Sequence, residues 1–507
     1  MENERRKNAA RNIVFGTVLK VYQVLAPFFL RTAMIYFMGI KYVGLNGLFV
    51  SVLQVLNLAE LGVGSAMVFS MYKPITENDT ETICALLKLY RLYYRIIGTV
   101  IAAAGLLITP IVPKLINGNV PEEINVYVLY LLNLGTTVLS YWLFAWKTSI
   151  FMAYQRNDII SKITIITSTM QYIAQIIVIW FLGDYYLFVI ANLAYQILTN
   201  IITAIAADRL YPQYKPAGIL DNEKKTDLNT RIKDLFTAKV GEIIVNSVDT
   251  IVISTFLGLT ILAVYQNYYY IMASVISFIT VIFTSVTAGI GNSLIVESEK
   301  KNFSDLKKFT FVICFVSCFC SCCFLCVYQP FMEIWMGMEY MLDYTAVVLF
   351  VIYFYTFEIN QLLNTYKDAA GIWHKDRFRP LITAGTNLAM NLIMVNFLGI
   401  YGVLLSTVIS TLVIGMPWLI HNLFSCVFKK ELLREYLKML LYYIAVSVVI
   451  CFITAFICNF INLGGWLTFI IRLAICIILP NLIFALLNIK NKELRDSISL
   501  VKNMIKK

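Results

Sequence analysis

Residues 309–331 form the apolar run FTFVICFVSCFCSCCFLCVYQPF, which contains no charged side chain. An α-helix rises about 1.5 Å per residue, so a run of this length can cross the roughly 30 Å hydrocarbon core of a bilayer. Comparable windows of about 20 apolar residues recur along the whole chain. The run predicts one membrane-spanning helix, and its recurrence predicts an all-α polytopic membrane protein with about 14 transmembrane helices. The expected spans are residues 12–37, 42–70, 90–113, 124–146, 159–182, 185–207, 237–257, 262–295, 309–331, 344–366, 378–398, 401–424, 436–461 and 465–488.

The composition excludes the main soluble classes. Hydrophobic residues make up 59% of the 507 residues and charged residues 14%, with a mean hydropathy of +0.75. Soluble domains carry about 25% charged residues, so too few polar side chains are present to cover a water-facing surface. The same numbers exclude a disordered chain and a small disulfide scaffold.

The chain has a net charge of +11, and the positions of its basic residues predict which side of the membrane each loop faces. With the spans above, 36 of the 41 Lys and Arg residues fall in or beside one set of loops, and only Lys41 and Lys114 fall in the opposite set. Basic residues concentrate in cytoplasmic loops, so both termini are expected in the cytoplasm. No soluble segment is long enough to be a nucleic-acid-binding domain, and no nucleic-acid partner is expected.

The three-residue motif Phe-(Leu/Met)-Gly ends predicted spans 1, 5, 7 and 11. Its four copies begin at residues 37, 181, 256 and 397, so equivalent copies are 219 and 216 residues apart. Lys20 and Lys239 recur at the same offset, and Lys147 and Lys367 are 220 residues apart. Six spans per repeat is an even number, so the two halves share an orientation and are related by an axis along the membrane normal.

The repeat predicts five regions. These are an N-lobe of spans 1–6 (residues 1–207), a cytoplasmic linker with an interfacial helix (208–236), a C-lobe of spans 7–12 (237–424), two extra spans (425–488) and a basic cytoplasmic tail (489–507). The tail has apolar residues at helical spacing among lysines, which is typical of a helix lying on an anionic leaflet.

Two stretches carry a family resemblance. YVGLNGLF (42–49), followed by LAELGVGSA (58–66), resembles the first hairpin of capsule and O-antigen repeat-unit flippases. KDAAGIWHKDRFRP (367–380) resembles the loop after span 10 in the same proteins. The chain thus resembles the polysaccharide-transporter branch of the multidrug/oligosaccharidyl-lipid/polysaccharide flippase superfamily. The resemblance implies two six-helix lobes around a central cavity lined by spans 1, 2, 7 and 8, and a polyprenyl-diphosphate-linked oligosaccharide as substrate.

Charged residues inside spans are costly and usually functional, so they are the candidate site residues. Arginine and lysine suit a diphosphate, which loses its water in the membrane; we assign Arg31, Lys20 and Lys239 to this group. The acidic residues are expected to couple a proton or sodium ion or to balance the basic charges. They are Asp249, Glu60, Glu242 and Glu358.

The alternative interpretation for Lys20, Lys239 and Glu242 is that their side chains reach the membrane interface. Proline and glycine within spans are candidate bending points for alternating access, with a static kink as the alternative. They are Pro27, Gly62, Gly64, Gly289 and Gly291.

No resident cofactor or metal is expected. Six cysteines crowd span 9, but thiolates are costly in lipid, and packing as small apolar side chains is the favoured interpretation over metal or redox chemistry. The six are Cys314, Cys318, Cys320, Cys322, Cys323 and Cys326.

The sequence leaves several functions open. The leading hypothesis is a secondary flippase for a lipid-linked repeat unit in a bacterial inner membrane, with a polysaccharide polymerase or chain-length protein as a candidate partner. A lipid II flippase for peptidoglycan and a drug/cation antiporter are the alternatives. A membrane polysaccharide polymerase is disfavoured because the outer loops are short and no Asp-x-Asp occurs, and no phosphate-binding GxxxxGK[ST] loop is present.

Overall fold

The computed structural model describes the backbone of residues 2–495 and, within that range, all side chains except those of residues 2–10, 13, 238, 242 and 246. The described part of the chain is 87% helical and contains no strand. Among these residues, thirteen helices are long and apolar enough to cross a membrane. A fourteenth is obtained when the pair Val126–Trp142 and Ala145–Ala153, bent by 47°, is counted as one span. The predicted all-α membrane fold is therefore confirmed, and the expected count of about fourteen spans agrees with the 13 or 14 candidate helices.

The helices pack into two compact units, residues 1–263 and 264–507. In the first unit, α1 packs against α7 and α2, and α9 packs against α2 and α3. The helices of this unit are α1 (Glu2–Phe37), α2 (Ile40–Leu56), α3 (Val63–Glu77), α4 (Thr80–Ile108), α5 (Val126–Trp142), α6 (Thr148–Ala153), α7 (Asn157–Ile177), α8 (Tyr185–Leu210) and α9 (Asn222–Leu257).

In the second unit, α11 packs against α12, α17 and α18, and α15 packs against α12 and α14. The boundary between the units falls in the first turns of α10. The helices are α10 (Leu259–Val296), α11 (Glu299–Met336), α12 (Tyr344–Ala369), α13 (Trp373–Asp376), α14 (Arg379–Leu398), α15 (Ile400–Ser410), α16 (Met416–Cys426), α17 (Leu432–Asn459) and α18 (Gly465–Leu487).

Short polar side chains start several helices. Asp79 accepts a hydrogen bond from the Thr82 N–H at 2.9 Å and begins α4, and Asp184 accepts one from the Tyr186 N–H at 2.7 Å before α8. These bonds satisfy amide groups that have no partner within the helix. Hydrogen bonds from Thr82 hold the pKa of Asp79 below its usual value.

The repeated motif ends helices in both units. All four of its glycines have positive φ, from +56° to +105°. L-residues with a Cβ rarely adopt this conformation, so glycine lets the chain leave the helix and turn into the next one. The four are Gly39, Gly183, Gly258 and Gly399.

The two repeat-related lysines are both buried and both bind acidic residues. Lys147 is 9% exposed, and its Nζ lies 2.6 Å from Asp208 Oδ1. Lys367 is 8% exposed, and its Nζ lies 3.0 Å from Asp368 Oδ1. Buried cations need such a partner because burial removes their hydration.

The segment before span 7 is helical. Residues 222–257 form one unbroken 36-residue helix, so the helix expected to lead into span 7 is the beginning of α9. The start of α9 packs on α3 and on the segment that follows α2, which explains the helical spacing of its apolar residues. The predicted tail helix falls largely beyond residue 495 and lies outside the described residues.

Candidate functional site

Span 2 is broken where the LAELGVGSA motif lies. A short 3₁₀ segment, Asn57–Glu60, follows α2, and Gly62 has φ +85° before α3 begins. α9 packs directly on this break: a Cβ at Gly62 would lie 2.6 Å from Leu235 Cβ and 3.1 Å from the Ile232 carbonyl oxygen. Both the backbone conformation and the close approach of α9 therefore require glycine.

Glu60 lies at this break and receives hydrogen bonds from two neighbours. The Tyr94 hydroxyl donates to Glu60 Oε1 at 3.2 Å, and the Gly64 N–H donates to the same carboxylate. The Tyr90 hydroxyl in turn donates to Tyr94 at 2.6 Å. The three groups form a continuous chain of hydrogen bonds, and both tyrosines are buried.

Two further groups complete the surroundings of Glu60. The Tyr141 ring meets Tyr94 edge-on with 5.4 Å between centroids. Lys239, on α9, is exposed and lies within electrostatic range of Glu60. Cation, carboxylate and hydroxyls therefore meet within the first unit, and a proton or small cation has oxygen ligands available there. We call Glu60, Tyr90, Tyr94 and Lys239 the Glu60 cluster.

α9 is fastened at both ends, so its charged residues have fixed positions in the first unit. The Tyr93 hydroxyl donates to Asn229 Oδ1 at 2.7 Å, and the Arg231 guanidinium lies 4.5 Å from the centroid of the Phe69 ring. At the other end, the Asn117 side chain donates to the Phe256 carbonyl at 2.7 Å. Asp249 lies between these ends and is 6% exposed. The side chain of Glu242 lies outside the described residues.

The basic residues of span 1 share one face of α1. Lys20, Pro27 and Arg31 are separated by seven and four residues, and at about 100° per residue these steps return to nearly the same face. The side chains of Lys20 and Arg31 are both half-buried. The helix continues through Pro27 without interruption. Two cations therefore lie about 16 Å apart along one helix face.

Gly289 and Gly291, which the repeat aligns with the broken segment, lie in a continuous helix. A Cβ at Gly289 would have no neighbour within 4 Å, and one at Gly291 would lie 3.3 Å from the Ala369 carbonyl oxygen. The break at Gly62 thus has no counterpart in α10. The two motifs differ in their surroundings. Gly62 has positive φ and α9 packs across it, whereas neither Gly289 nor Gly291 has positive φ.

Glu358 lies on α12 in the second unit. It is 1% exposed, and neither carboxylate oxygen has a hydrogen-bond partner among the described residues. Phe354, one turn earlier, meets Phe324 of α11 at 5.0 Å. The hydroxyls of Ser317 and Ser321, two turns and one turn before Phe324, are also without a partner in the described part of the chain. The burial of a carboxylate without partners is costly, which marks this position as a candidate ion-binding group.

Six of the eleven cysteines form two groups of three in the second unit, each with its thiol sulfurs within 4.8 Å of one another. Cys326, Cys458 and Cys476 are surrounded by apolar side chains that include Leu325 and Phe469. The second group is Cys318, Cys322 and Cys451.

Sequence reasoning missed the tyrosines around Glu60. Tyr90 and Tyr94 lie in the first turns of predicted span 90–113, where tyrosines are common at the membrane interface, so their position gives no signal of a site. Their partner Glu60 is distant in the chain, so only the folded structure brings the three together.

A family model described as "Polysaccharide biosynthesis protein" matches residues 42–341. The chain belongs to this family. The match contains both motifs of the first hairpin, and so confirms the resemblance that they indicated. A comparison with curated protein sequences gives no match.

Three solved structures illustrate the shared fold. The lipid II flippase MurJ, in an inward closed conformation, has a TM-score of 0.68 and 15% identity over 94% of this chain and 99% of that chain. An inward-facing multidrug resistance MATE family transporter of the MOP superfamily has a TM-score of 0.61 and 14% identity, over 82% of this chain and 99% of that chain. The Vibrio cholerae MATE transporter VcmN, in its bent form, has a TM-score of 0.53 and 15% identity, over 85% of this chain and 98% of that chain. At these identities the likeness establishes the fold.

Proposed function

We propose that the protein is a secondary-transport flippase that moves a polyprenyl-diphosphate-linked oligosaccharide repeat unit from the cytoplasmic to the outer leaflet by alternating access of a central cavity. The family match over residues 42–341 carries the proposal, because it links a transporter fold to polysaccharide biosynthesis. The membrane is a bacterial inner membrane with both termini in the cytoplasm. The protein acts as a transporter and not as an enzyme, in capsule or O-antigen assembly, beside a polymerase or chain-length partner.

The diphosphate is bound by the basic groups of the first unit. Arg31 and Lys20 share one face of α1, so a diphosphate moving along that face passes from one cation to the next. Arginine binds phosphate oxygens through two parallel N–H bonds, and lysine acts as a point charge. Lys239 is a third cation, and its charge is opposed by Glu60.

A proton or sodium ion drives the cycle through the acidic residues. Glu60 combines a carboxylate with a chain of tyrosine hydroxyls, which suits relay of a proton. Glu358 supports the same role because its buried carboxylate has no hydrogen-bond partner among the described residues. Asp249 and Glu242 are the other candidates on α9.

Lipid II transport is the second candidate, since MurJ shares the fold over nearly its whole length. Both functions move a polyprenyl diphosphate, so they differ in the sugar and not in the charged group. A drug/cation antiporter, in contrast, would carry a cation without phosphate.

Transport by purified protein in liposomes tests the proposal. Three substrates are compared under proton and sodium gradients: a fluorescent polyprenyl-diphosphate oligosaccharide, fluorescent lipid II and a cationic dye. We expect translocation of the oligosaccharide lipid to exceed that of the other two. Preference for lipid II would support the second candidate, and transport of the dye alone would overturn both.

A further inference from the structure

A basic cavity of about 390 Å³ lies in the first unit, outside the residues assigned above. It is formed where α4 meets the segment between α8 and α9. Its four cationic side chains are Lys88, Arg91 and Arg95 from α4 and Lys225 from the first turn of α9. None of the described residues that line it is acidic.

The walls of this cavity are held in place by polar contacts between α4 and the 211–221 segment. Lys88 Nζ donates to the Gly218 carbonyl at 2.9 Å, and the Ala217 N–H donates to the Cys84 carbonyl at 3.3 Å. The Tyr211 ring stacks on Tyr154 with 4.6 Å between centroids, and burial raises the pKa of Tyr211. These contacts therefore hold the 211–221 segment in place as one wall of the cavity.

The positive charge of the cavity is not balanced by the described part of the protein. Lys88, Arg91, Arg95 and Lys225 form no ion pair there, in contrast to the buried Lys147. The three residues of α4 recur at steps of three and four, so their charges follow one helix face for about 10 Å. Like charges at this spacing repel one another, and an anion between them removes the repulsion.

The same cavity has an apolar border. Ile219 is 92% exposed and Leu92 is 51% exposed, and both line it beside the cations. Asn222 also lines it, at the start of α9, where a helix carries partial positive charge. An anionic group attached to a hydrocarbon chain matches cations and apolar side chains placed together, whereas a free anion uses only the cations.

We propose that this cavity binds the phosphate group of a membrane lipid. The phosphate can come from an anionic phospholipid or from the diphosphate of the lipid-linked substrate. The second source rests on the proposed function, where the cavity would capture the substrate before it enters the central cavity. The first source is independent of transport.

Lipid binding to the purified full-length protein tests the proposal. Phosphatidylglycerol, undecaprenyl diphosphate, phosphatidylcholine and inorganic phosphate are titrated separately, with native mass spectrometry as the readout. The test variant is Lys88→Gln/Arg91→Gln/Arg95→Gln. The control, Arg209→Gln/Lys233→Gln/Lys438→Gln, removes the same charge from exposed positions elsewhere. Monodispersity and the thermal midpoint verify that both variants fold. A third variant, Lys88→Arg/Arg91→Lys/Arg95→Lys, keeps the positive charge of the cavity.

We expect the wild type, the control and the charge-retaining variant to bind one of the two anionic lipids about 10- to 100-fold more tightly than the test variant. Tighter binding of phosphatidylglycerol identifies a phospholipid site, and tighter binding of undecaprenyl diphosphate identifies a substrate site. Equal binding by the test variant and wild type would overturn the proposal, as would equal affinity for phosphatidylcholine or inorganic phosphate. Because binding needs no transport, failure of the flippase assay leaves this result interpretable.

Discussion

At the scale of single residues, glycines with the same sequence context have different roles. Gly62 and Gly289 begin two similar Gly-x-Gly motifs, yet the first has φ +85° beneath α9 and the second lies inside a regular helix. The sequence predicts that both permit bending. Only the structure distinguishes them, because the difference arises from the helix that packs on Gly62.

Substitution of Gly62 and of Gly289 by alanine tests the different roles of these two glycines. We expect Gly62→Ala to lower the free energy of unfolding by about 2 kcal/mol or more, from left-handed strain and the contact with Leu235. Gly289→Ala, the matched control, should be neutral or stabilising by up to about 1 kcal/mol because it improves helix propensity in open space. Thermal unfolding in detergent checks both. Equal effects would contradict the assignment of the break to Gly62.

The Glu60 cluster makes a second prediction at this scale. Glu60→Gln removes the carboxylate charge, and Tyr94→Phe removes the hydrogen bond to that carboxylate. Each variant should lower the rate of gradient-driven transport at least about tenfold, which corresponds to a loss of about 1.4 kcal/mol. Tyr141→Phe is the control, because the Tyr141 ring borders Tyr94 without a hydrogen bond to Glu60 among the described contacts. Transport and its ion dependence are measured in liposomes. Unchanged coupling in Glu60→Gln would assign the ion to another carboxylate.

At the scale of elements, the sequence predicts the spans well and their local breaks poorly. Each of the fourteen windows falls on helical segments, and windows 2 and 4 each contain a break, since a lipid environment requires apolar surface and internally bonded backbone. The sequence predicts an interfacial helix that leads into span 7, from the helical spacing of apolar residues such as Leu228 and Ile232. The structure joins this helix to span 7 without a break. Its contacts with α3 and with the 57–60 segment join residues distant in the chain, and local periodicity carries no information about them.

Proline substitution tests the continuity of α9. Asp234→Pro should destabilise the protein by about 3 kcal/mol or more, because proline removes a backbone hydrogen bond inside a helix. Asn222→Pro, at the first helical residue, should be tolerated because that amide has no partner in the helix. Thermal midpoints of the two variants are compared. Similar midpoints would indicate that the helix is interrupted near residue 234.

At the scale of the whole molecule, the fold and the family are predictable and the site only in part. The motifs at 42–66 and the repeated glycine motif identify the fold. The charged positions mark Glu60, Asp249 and Glu358, but their surroundings depend on packing between distant segments. Thus the tyrosines beside Glu60 and the burial of Glu358 emerge only from the structure.

Diphosphate transport by the wild type and Arg31 variants tests the central claim most directly. The measurement is the translocation rate of a fluorescent polyprenyl-diphosphate oligosaccharide in liposomes, with Lys41→Ala as the control. We predict that Arg31→Ala reduces the rate at least about tenfold, as expected for loss of a charged hydrogen-bonding partner, and that Arg31→Lys reduces it less. Absence of translocation by the wild type under both proton and sodium gradients would contradict the flippase function. Robust translocation unaffected by Arg31→Ala would retain the function and contradict the assigned diphosphate site.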